Sequence, residues 1–365
     1  MSEWEKVRLG DVCDGISSNI AQKDLADNEG EYPIYGASGL IKHVDYFVHD
    51  QEYVAVVKDG AGVGRTTIHP AKSSVIGTMQ ALIPKIMMDT RYLYYAVSEM
   101  NLAKYYSGST IPHIYFRDYK EELFLLPPMK TQKRIVTILD KICNLIKKQE
   151  IQVKMLELLV KSRFVEMFGD PVQNTKGLEV KELATLGTLE RGRSRHRPRN
   201  APELLGGPYP LIQTGDVAGA GLYLTEFSST YSEIGLQQSR MWEAGTLCIT
   251  IAANIAQTTI LKFDSCFPDS VVGFIPGLEV TAEYMYYWFT FFQQLLEKQA
   301  PQVAQKNINL EILSKLRVIV PNVSQVQQFT DFAKQTDKSK FAIQQSIIEL
   351  ETLKKALMQK YFGAQ

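Results

Sequence analysis

The sequence lacks most of what marks secreted, membrane-bound or metal-dependent proteins. Its 365 residues hold four cysteines, Cys13, Cys143, Cys248 and Cys266, with no Cys-x-x-Cys pair and no histidine placed beside them for zinc. That pattern argues for a reducing cytoplasm in which the thiols are buried filler. No apolar run approaches the ~18 uncharged residues needed to span a bilayer, so no membrane is expected. The opening MSEWEKVRLGD is charged and lacks the apolar core of a signal peptide. Net charge is absent too, because forty basic residues cancel forty acidic ones. A stand-alone nucleic-acid binder usually carries a basic surplus. Net charge does not report distribution, however, so the balance neither supports nor excludes such a partner.

Catalytic signatures are equally scarce. There is no Walker lysine, helicase signature, Asn-Pro-Pro-aromatic motif or cluster of nuclease carboxylates; Asp11, Asp14 and Asp59 stand alone. His43, His49, His69, His113 and His196 have no paired spacing for a metal and read as surface or internally satisfied side chains. Lys58-Asp59-Gly60-Ala61-Gly62-Val63-Gly64-Arg65 invites a phosphate-loop reading that fails. The four-residue gap before a Gly-Lys is missing, and a dinucleotide fingerprint needs glycine at position 65. No cofactor and no metal are expected.

What is present is a duplication. Hydrophobic content of 45% and a mean hydropathy of −0.13 describe a globular chain, too long for one ordinary core. Pro127 falls on Pro321, Ile135 on Phe329, Leu156-Glu157 on Leu350-Glu351 and Phe168-Gly169 on Phe362-Gly363, all at a shift of 194. Val54–Thr67 matches Leu247–Ile260 at 193, whereas Trp4, Leu9 and Val12 match Leu178, Leu183 and Leu186 at 174. The second copy therefore carries 19 extra residues between its opening and its central strands.

Each copy ends in a long helix. Ile135, Leu139, Ile142, Ile146, Gln149, Val153, Leu156, Val160, Arg163 and Met167 alternate steps of four and three, a heptad seam with two polar interruptions. The second copy is rougher: Phe329, Ala333, Thr336, Lys340, Ile343, Ile347, Leu350, Lys354, Leu357 and Tyr361. Phe332, Leu353 and Met358 are candidates to fill the gaps at its two lysines. A lone amphipathic helix must bury its stripe, and its own duplicate is the nearest partner. The helices are expected to pair antiparallel, with the modules at opposite ends under a pseudo-two-fold and Gln149 beside Ile343. A helical hairpin packed on a core is the plainer alternative.

The modules read as mixed α/β, that is α+β, with many short strands. Strands are expected at Glu52–Val57 and Thr246–Ile251, and closing strands at Glu122–Leu126 and Leu316–Val320, stopped by Pro127 and Pro321. Short helices are expected at Arg91–Tyr106 and Ala282–Lys298.

The order and duplication of these parts resemble the specificity subunits of Type I restriction-modification systems. The residues that carry the resemblance are Leu126-Pro127-Pro128-Met129-Lys130-Thr131-Gln132 with Met167-Phe168-Gly169-Asp170-Pro171, and Val320-Pro321-Asn322-Val323 with Tyr361-Phe362-Gly363. Gln305-Lys306-Asn307-Ile308-Asn309-Leu310 and Tyr209–Val217, which includes Gln213 and Thr214, look like two further family stretches. Departures are Val326 in place of Gln132, and Pro112-His113-Ile114 in place of Lys306-Asn307-Ile308. The resemblance implies a non-enzymatic subunit of four parts: target-recognition domains at 1–127 and 170–321, and helical spacers at 128–169 and 322–365. Each domain would read one half of a bipartite site in double-stranded DNA. The helices would set the unread spacer and dock two DNA methyltransferase subunits, to which restriction translocase subunits add.

Candidate DNA contacts follow from side-chain chemistry. In the first copy they are Lys58 and Arg65 around the glycine loop, Ser107, Ser109 and Thr110 as small donors, and Tyr115 and Arg117 beside them. In the second copy Arg191, Arg193, Arg195, Arg197 and Arg199 alternate over nine residues with no acid among them, a density suited to phosphates. Asn254 and Gln257, the repeat mates of the glycine loop, carry amides able to pair with adenine. Gln302, Gln305, Lys306 and Asn307 occupy the place of Ser107–Thr110. Solvated loops and turns remain the plain alternative at each place. Two other functions stay open: a nucleotide-dependent methyltransferase built on Gly60, and a coiled-coil scaffold whose modules bind protein.

Overall fold

Proline and glycine punctuate the chain where the duplication begins and ends its helices. In the computed structural model, which describes residues 4–108, 112–196, 198–252, 255–299 and 309–363, the first long helix spans Met129–Phe168 and the second Val323–Phe362. The first starts on Pro128, whose carbonyl accepts from the amides of Thr131 and Gln132. It stops where Gly169 takes a φ of +75°, a left-handed turn that side chains resist. The second starts at Asn322, whose Oδ1 accepts from the Ser324 amide, and ends at Gly363.

The chain divides into two compact units, Met1–Glu150 with Gln345–Gln365, and Ile151–Gln344. Each unit thus holds one module, the start of that module's own helix and the end of the other copy's helix. In the first unit, Ile135, Val136 and Leu139 share a core with Met358 and Phe362. In the second, Val160, Phe164 and Phe168 share one with Val326, Phe329 and Ala333. The start of one helix meets the end of the other in both, so the pairing is antiparallel, as the repeat register suggests.

Every seam position of both helices is buried or half-buried. The hydrogen-bond partner of Gln149 is Ser346, one helical turn from Ile343: its Nε2 donates to Ser346 Oγ at 2.9 Å. An amide in a seam needs a polar partner, and isoleucine has none to offer. Lys340 occupies its seam position with its side chain 15% exposed, its ammonium 3.5 Å from Glu157 and 3.8 Å from Asp337. Met358 is buried and Phe332 half-buried, but Leu353 points outward, 47% exposed, so it does not fill the gap at Lys354.

Both modules carry the same antiparallel core sheet. In the first copy the order is Cys13–Ser17, Met79–Pro84, Tyr53–Val57, Thr66–His69. In the second it is Gly187–Arg191, Val271–Pro276, Leu247–Thr250, Thr258–Leu261, with Tyr223–Leu224 added in parallel at the edge. The central strands are buried on both faces, which suits their run of Val, Ile, Leu and Ala. A second small sheet flanks each core sheet, and a two-stranded ribbon closes each module, Glu5–Arg8 with Leu123–Leu126 and Glu179–Glu182 with Arg317–Val320.

The first module's helix is shorter than expected. It runs over Thr90–Glu99, begun by Asp89 Oδ1 accepting from the Tyr92 amide, and breaks at Met100 into a separate turn at Leu102–Tyr105. Its counterpart runs unbroken over Ala282–Gln299. In each copy one tyrosine ties this helix to the closing strand: Tyr92 donates to the Leu125 carbonyl at 2.8 Å and Tyr284 to the Ile319 carbonyl at 2.7 Å. The phenylalanine that ends the other copy's long helix packs on that tyrosine, Phe362 on Tyr92 at 4.9 Å and Phe168 on Tyr284 at 5.3 Å. The Phe-Gly motif is thereby explained as an anchor.

Candidate nucleic-acid interface

In the first unit the candidates gather at one end of the core sheet. Lys58 follows the strand Tyr53–Val57, and Arg65 precedes Thr66–His69. Between them Gly60, Gly62 and Gly64 take φ values of +88°, +146° and +86°, which confine this tight turn to glycine. A second segment zips onto this turn. The Gly60 amide donates to the Pro112 carbonyl and the Ile114 amide to the Lys58 carbonyl, both at 3.0 Å. Ser107 joins by exchanging backbone hydrogen bonds with His113.

Side chains tighten this junction. Asp59 Oδ1 accepts from His113 Nδ1, and the His113 ring meets the Tyr115 ring edge-on at 4.1 Å. The Arg117 guanidinium lies 4.4 Å from the Tyr115 ring centre. Lys58, Ser107, Tyr115 and Arg117, unlinked in the sequence, are therefore parts of one surface. Ser107, Tyr115 and Arg117 are exposed on it, and Lys58 is half-buried. Arg65, also exposed, lies over Gly62 and donates to the Ala37 carbonyl. Ser109 and Thr110 lie outside the described residues.

The second unit repeats this arrangement in place but not in chemistry. Arg191 ends the strand Gly187–Arg191 opposite Val272, and Thr250 ends its own strand opposite Val271, so both sit at one end of the core sheet. Gln257 comes to the same end, its amide donating to Thr250 Oγ1 at 3.0 Å. The run after Arg191 is held by main-chain contacts. Gln238 Oε1 accepts from the amides of Arg195 and His196, Ser239 Oγ donates to the Arg193 carbonyl, and the Arg193 amide donates to the Phe267 carbonyl. The Ile212 amide pairs with the Cys266 carbonyl, adjacent to the carbonyl that takes the Arg193 amide, and Gln213 and Thr214 follow Ile212 in the chain.

Not all the arginines are alike. Arg199 is 2.5 Å from Asp269 Oδ1, and Arg191 donates from Nε and Nη2 to the Asp269 carbonyl. An acid far away in sequence thus holds the two ends of the run. Arg193 and Arg195 are exposed, and their guanidinium groups have no ion pair among the described residues. Arg240, which sequence reading missed, adds a cation at this place; it pairs with Glu190 and lies 4.1 Å over the Trp242 ring. The only sequence signal for it is the short Ser239-Arg240-Met241-Trp242 string. Arg197, Asn254, Gln302, Gln305, Lys306 and Asn307 lie outside the described residues.

No group of three or more His, Cys, Asp or Glu side chains that could hold a metal occurs among the described residues, and no described helix is long and apolar enough to cross a membrane. The cysteines are free; Cys13, Cys248 and Cys266 are buried, and burial pushes the Cys13 thiol up to about 12. These parts make the chain a duplicated two-module protein with polar and basic loops at the matching end of each core sheet.

Comparison with known proteins gives that class its family. The Type I restriction modification DNA specificity domain matches residues 1–155 and 175–352. A putative type I restriction enzyme specificity subunit of Haemophilus influenzae is 22% identical over 306 residues, 79% of this chain and 76% of the relative. The EcoprrI specificity subunit of Escherichia coli is 27% identical over 145 residues, 38% of this chain and 36% of that one. The S subunit structure from M. genitalium superposes with a TM-score of 0.68 at 15% identity, covering 100% of this chain and 97% of that one. The chain belongs to the family of Type I restriction-modification DNA specificity subunits.

Proposed function

We propose that each module reads one half of a bipartite duplex site through the loops at the end of its core sheet. The observation that carries this reading is the coincidence of place: Lys58, Ser107, Tyr115 and Arg117 in one copy, and Arg193, Arg195 and Gln257 in the other, gather at equivalent ends of the core sheets. Basic groups there neutralise phosphates and fix register, while amides and tyrosine reach base edges. The reading assigns residues 1–127 and 170–321 to target recognition, and 128–169 and 322–365 to the helical spacers. The helices set the unread length between the halves and dock two methyltransferase subunits, which restriction subunits join. The chain supplies specificity, and the catalytic activities sit in other subunits. The arginine run gives the test its sharpest form in the second module. Replacing Arg193, Arg195 and Arg197 with alanine should weaken binding of the assembled complex to target and non-target duplexes alike. The slope of log affinity against log salt should become shallower by about 0.9 per phosphate contact removed. Unchanged affinity and slope would leave the run a solvated loop.

A further inference from the structure

We propose that Asp59 and His113 are a positioning pair that sets which bases the first module reads, an inference that rests on the DNA-reading role of the loops they join. The two residues are 54 positions apart, and the sequence alone gives neither a partner. In the fold they cross-link the glycine turn to the 112–117 segment. Both are three-quarters buried, with side chains 26% exposed, so their bond is shielded from water at a surface that is otherwise wet. The carboxylate of Asp59 accepts a hydrogen bond from His113 Nδ1–H, which fixes the imidazole plane. His113 Nε2 is buried with no hydrogen-bond partner among the described residues, so the Asp59 bond is the one described there that orients the ring.

That orientation matters because of what leans on it. Tyr115 meets the ring edge-on at 4.1 Å, and Arg117 stacks on Tyr115 at 4.4 Å. Three side chains thus run outward from one buried bond to a side chain, Arg117, that is 73% exposed. Tilting the imidazole moves the tyrosine and the guanidinium together. Base readout tolerates little displacement, because a bidentate contact is set by the angle between two hydrogen bonds. The second copy has no such pair: the repeat mate of Asp59 is Ala252. It therefore serves as an internal control in the same molecule.

The test uses the full chain assembled with its methyltransferase subunits and a library of duplexes with randomised positions, sequenced after methylation. His113→Ala and Asp59→Asn should degrade the recovered preference in the first half-site by about tenfold, on the scale of one base-reading contact. The second half-site preference and the melting temperature should stay as in the parent. Two further variants separate bond from ring. His113→Asn keeps a donor near the Nδ1 position and loses the support of Tyr115, whereas His113→Phe keeps the ring and loses the bond. Both should lose first-half preference, since the proposal needs the two together, and neither removes a residue assigned to DNA contact. Tyr115→Ala runs alongside. If it relaxes the first half-site while all His113 and Asp59 variants read like the parent, the positioning pair is refuted and the loop reading survives. If Tyr115→Ala also leaves that half-site intact, both fall. Equal loss in both half-sites would mark the pair as merely structural and overturn the proposal.

Discussion

The two copies agree in their apolar anchors and disagree in their polar ones. Tyr92 and Tyr284 make the same bond to the closing strand, and Phe362 and Phe168 pack on them alike. Gln132, by contrast, is 1% exposed and fully engaged, donating to the carbonyls of Met87 and Pro127 and accepting from the Asp89 amide. Its mate Val326 is also 1% exposed, yet sits in an apolar core. The module-to-helix ion pair goes further and changes sign. Arg91 on the module helix meets Asp140 on the long helix at 2.5 Å, while at the matching positions Glu283 meets Lys334 at 3.3 Å. Apolar packing fixes the architecture because it is non-directional and large. A polar contact can be exchanged or reversed provided both partners change together.

Acid should separate the copies most. His69 lies buried between Tyr35 and Tyr53, and burial pushes it down to about 4; burial also lowers His49, which packs on Tyr53. Position 262, the mate of His69, is Lys262. A histidine held below its unfolded value of about 6.5 binds fewer protons when folded. Its contribution is full above that pH and is lost as pH falls toward 4. For His69 the loss reaches about 3 kcal/mol at the acid end. Hydrogen exchange at pH 7 and pH 5 should show Tyr53–Val57 and Thr66–His69 losing protection while Leu247–Thr250 and Thr258–Leu261 hold. Equal loss in both sheets would refute the assignment.

Exchanging the helix-start residues comes next. Gln132→Val leaves two carbonyls and an amide without partners and should cost about 1–3 kcal/mol, whereas Val326→Gln buries an amide that has none and should cost about the same. Urea midpoints of the two variants should both fall; a gain in either would show that the two pockets are interchangeable. Reversing the ion pair should do least. R91E should cost no more than about 1 kcal/mol, because Arg91 is half-exposed and water screens the pair. R91E combined with D140K should recover the charge attraction but not the bond that Asp140 Oδ1 accepts from Tyr95 at 2.7 Å, so recovery should be partial. A double variant less stable than R91E with D140N, which removes the same carboxylate without adding a cation, would show that the charges do not act on each other.

Helices, heptad seam and duplication are legible in the sequence because they are written in its periodicity. Every position that the step of four and three marks from Ile135 to Met167 is buried or half-buried, and the fixed shift pairs Phe168 with Phe362. The candidate DNA loops are legible through side-chain type. What joins them is not. Asp59 meets His113, and Asp269 meets Arg199, only through strand register, which sets neighbours across 54 and 70 residues. Side-chain type gives no sign of that register. For the same reason nothing within the arginine run points to Asp269, which holds its two ends.

The central claim is that each copy reads its own half of the site. The most direct measurement is sequencing of DNA methylated by complexes carrying K58A with Y115A, or Q213A with Q257A. The account predicts relaxed preference in the first half alone for the former pair and in the second half alone for the latter, with the spacer unchanged in both. Relaxation of both halves by either pair, or of neither half by both, would contradict it.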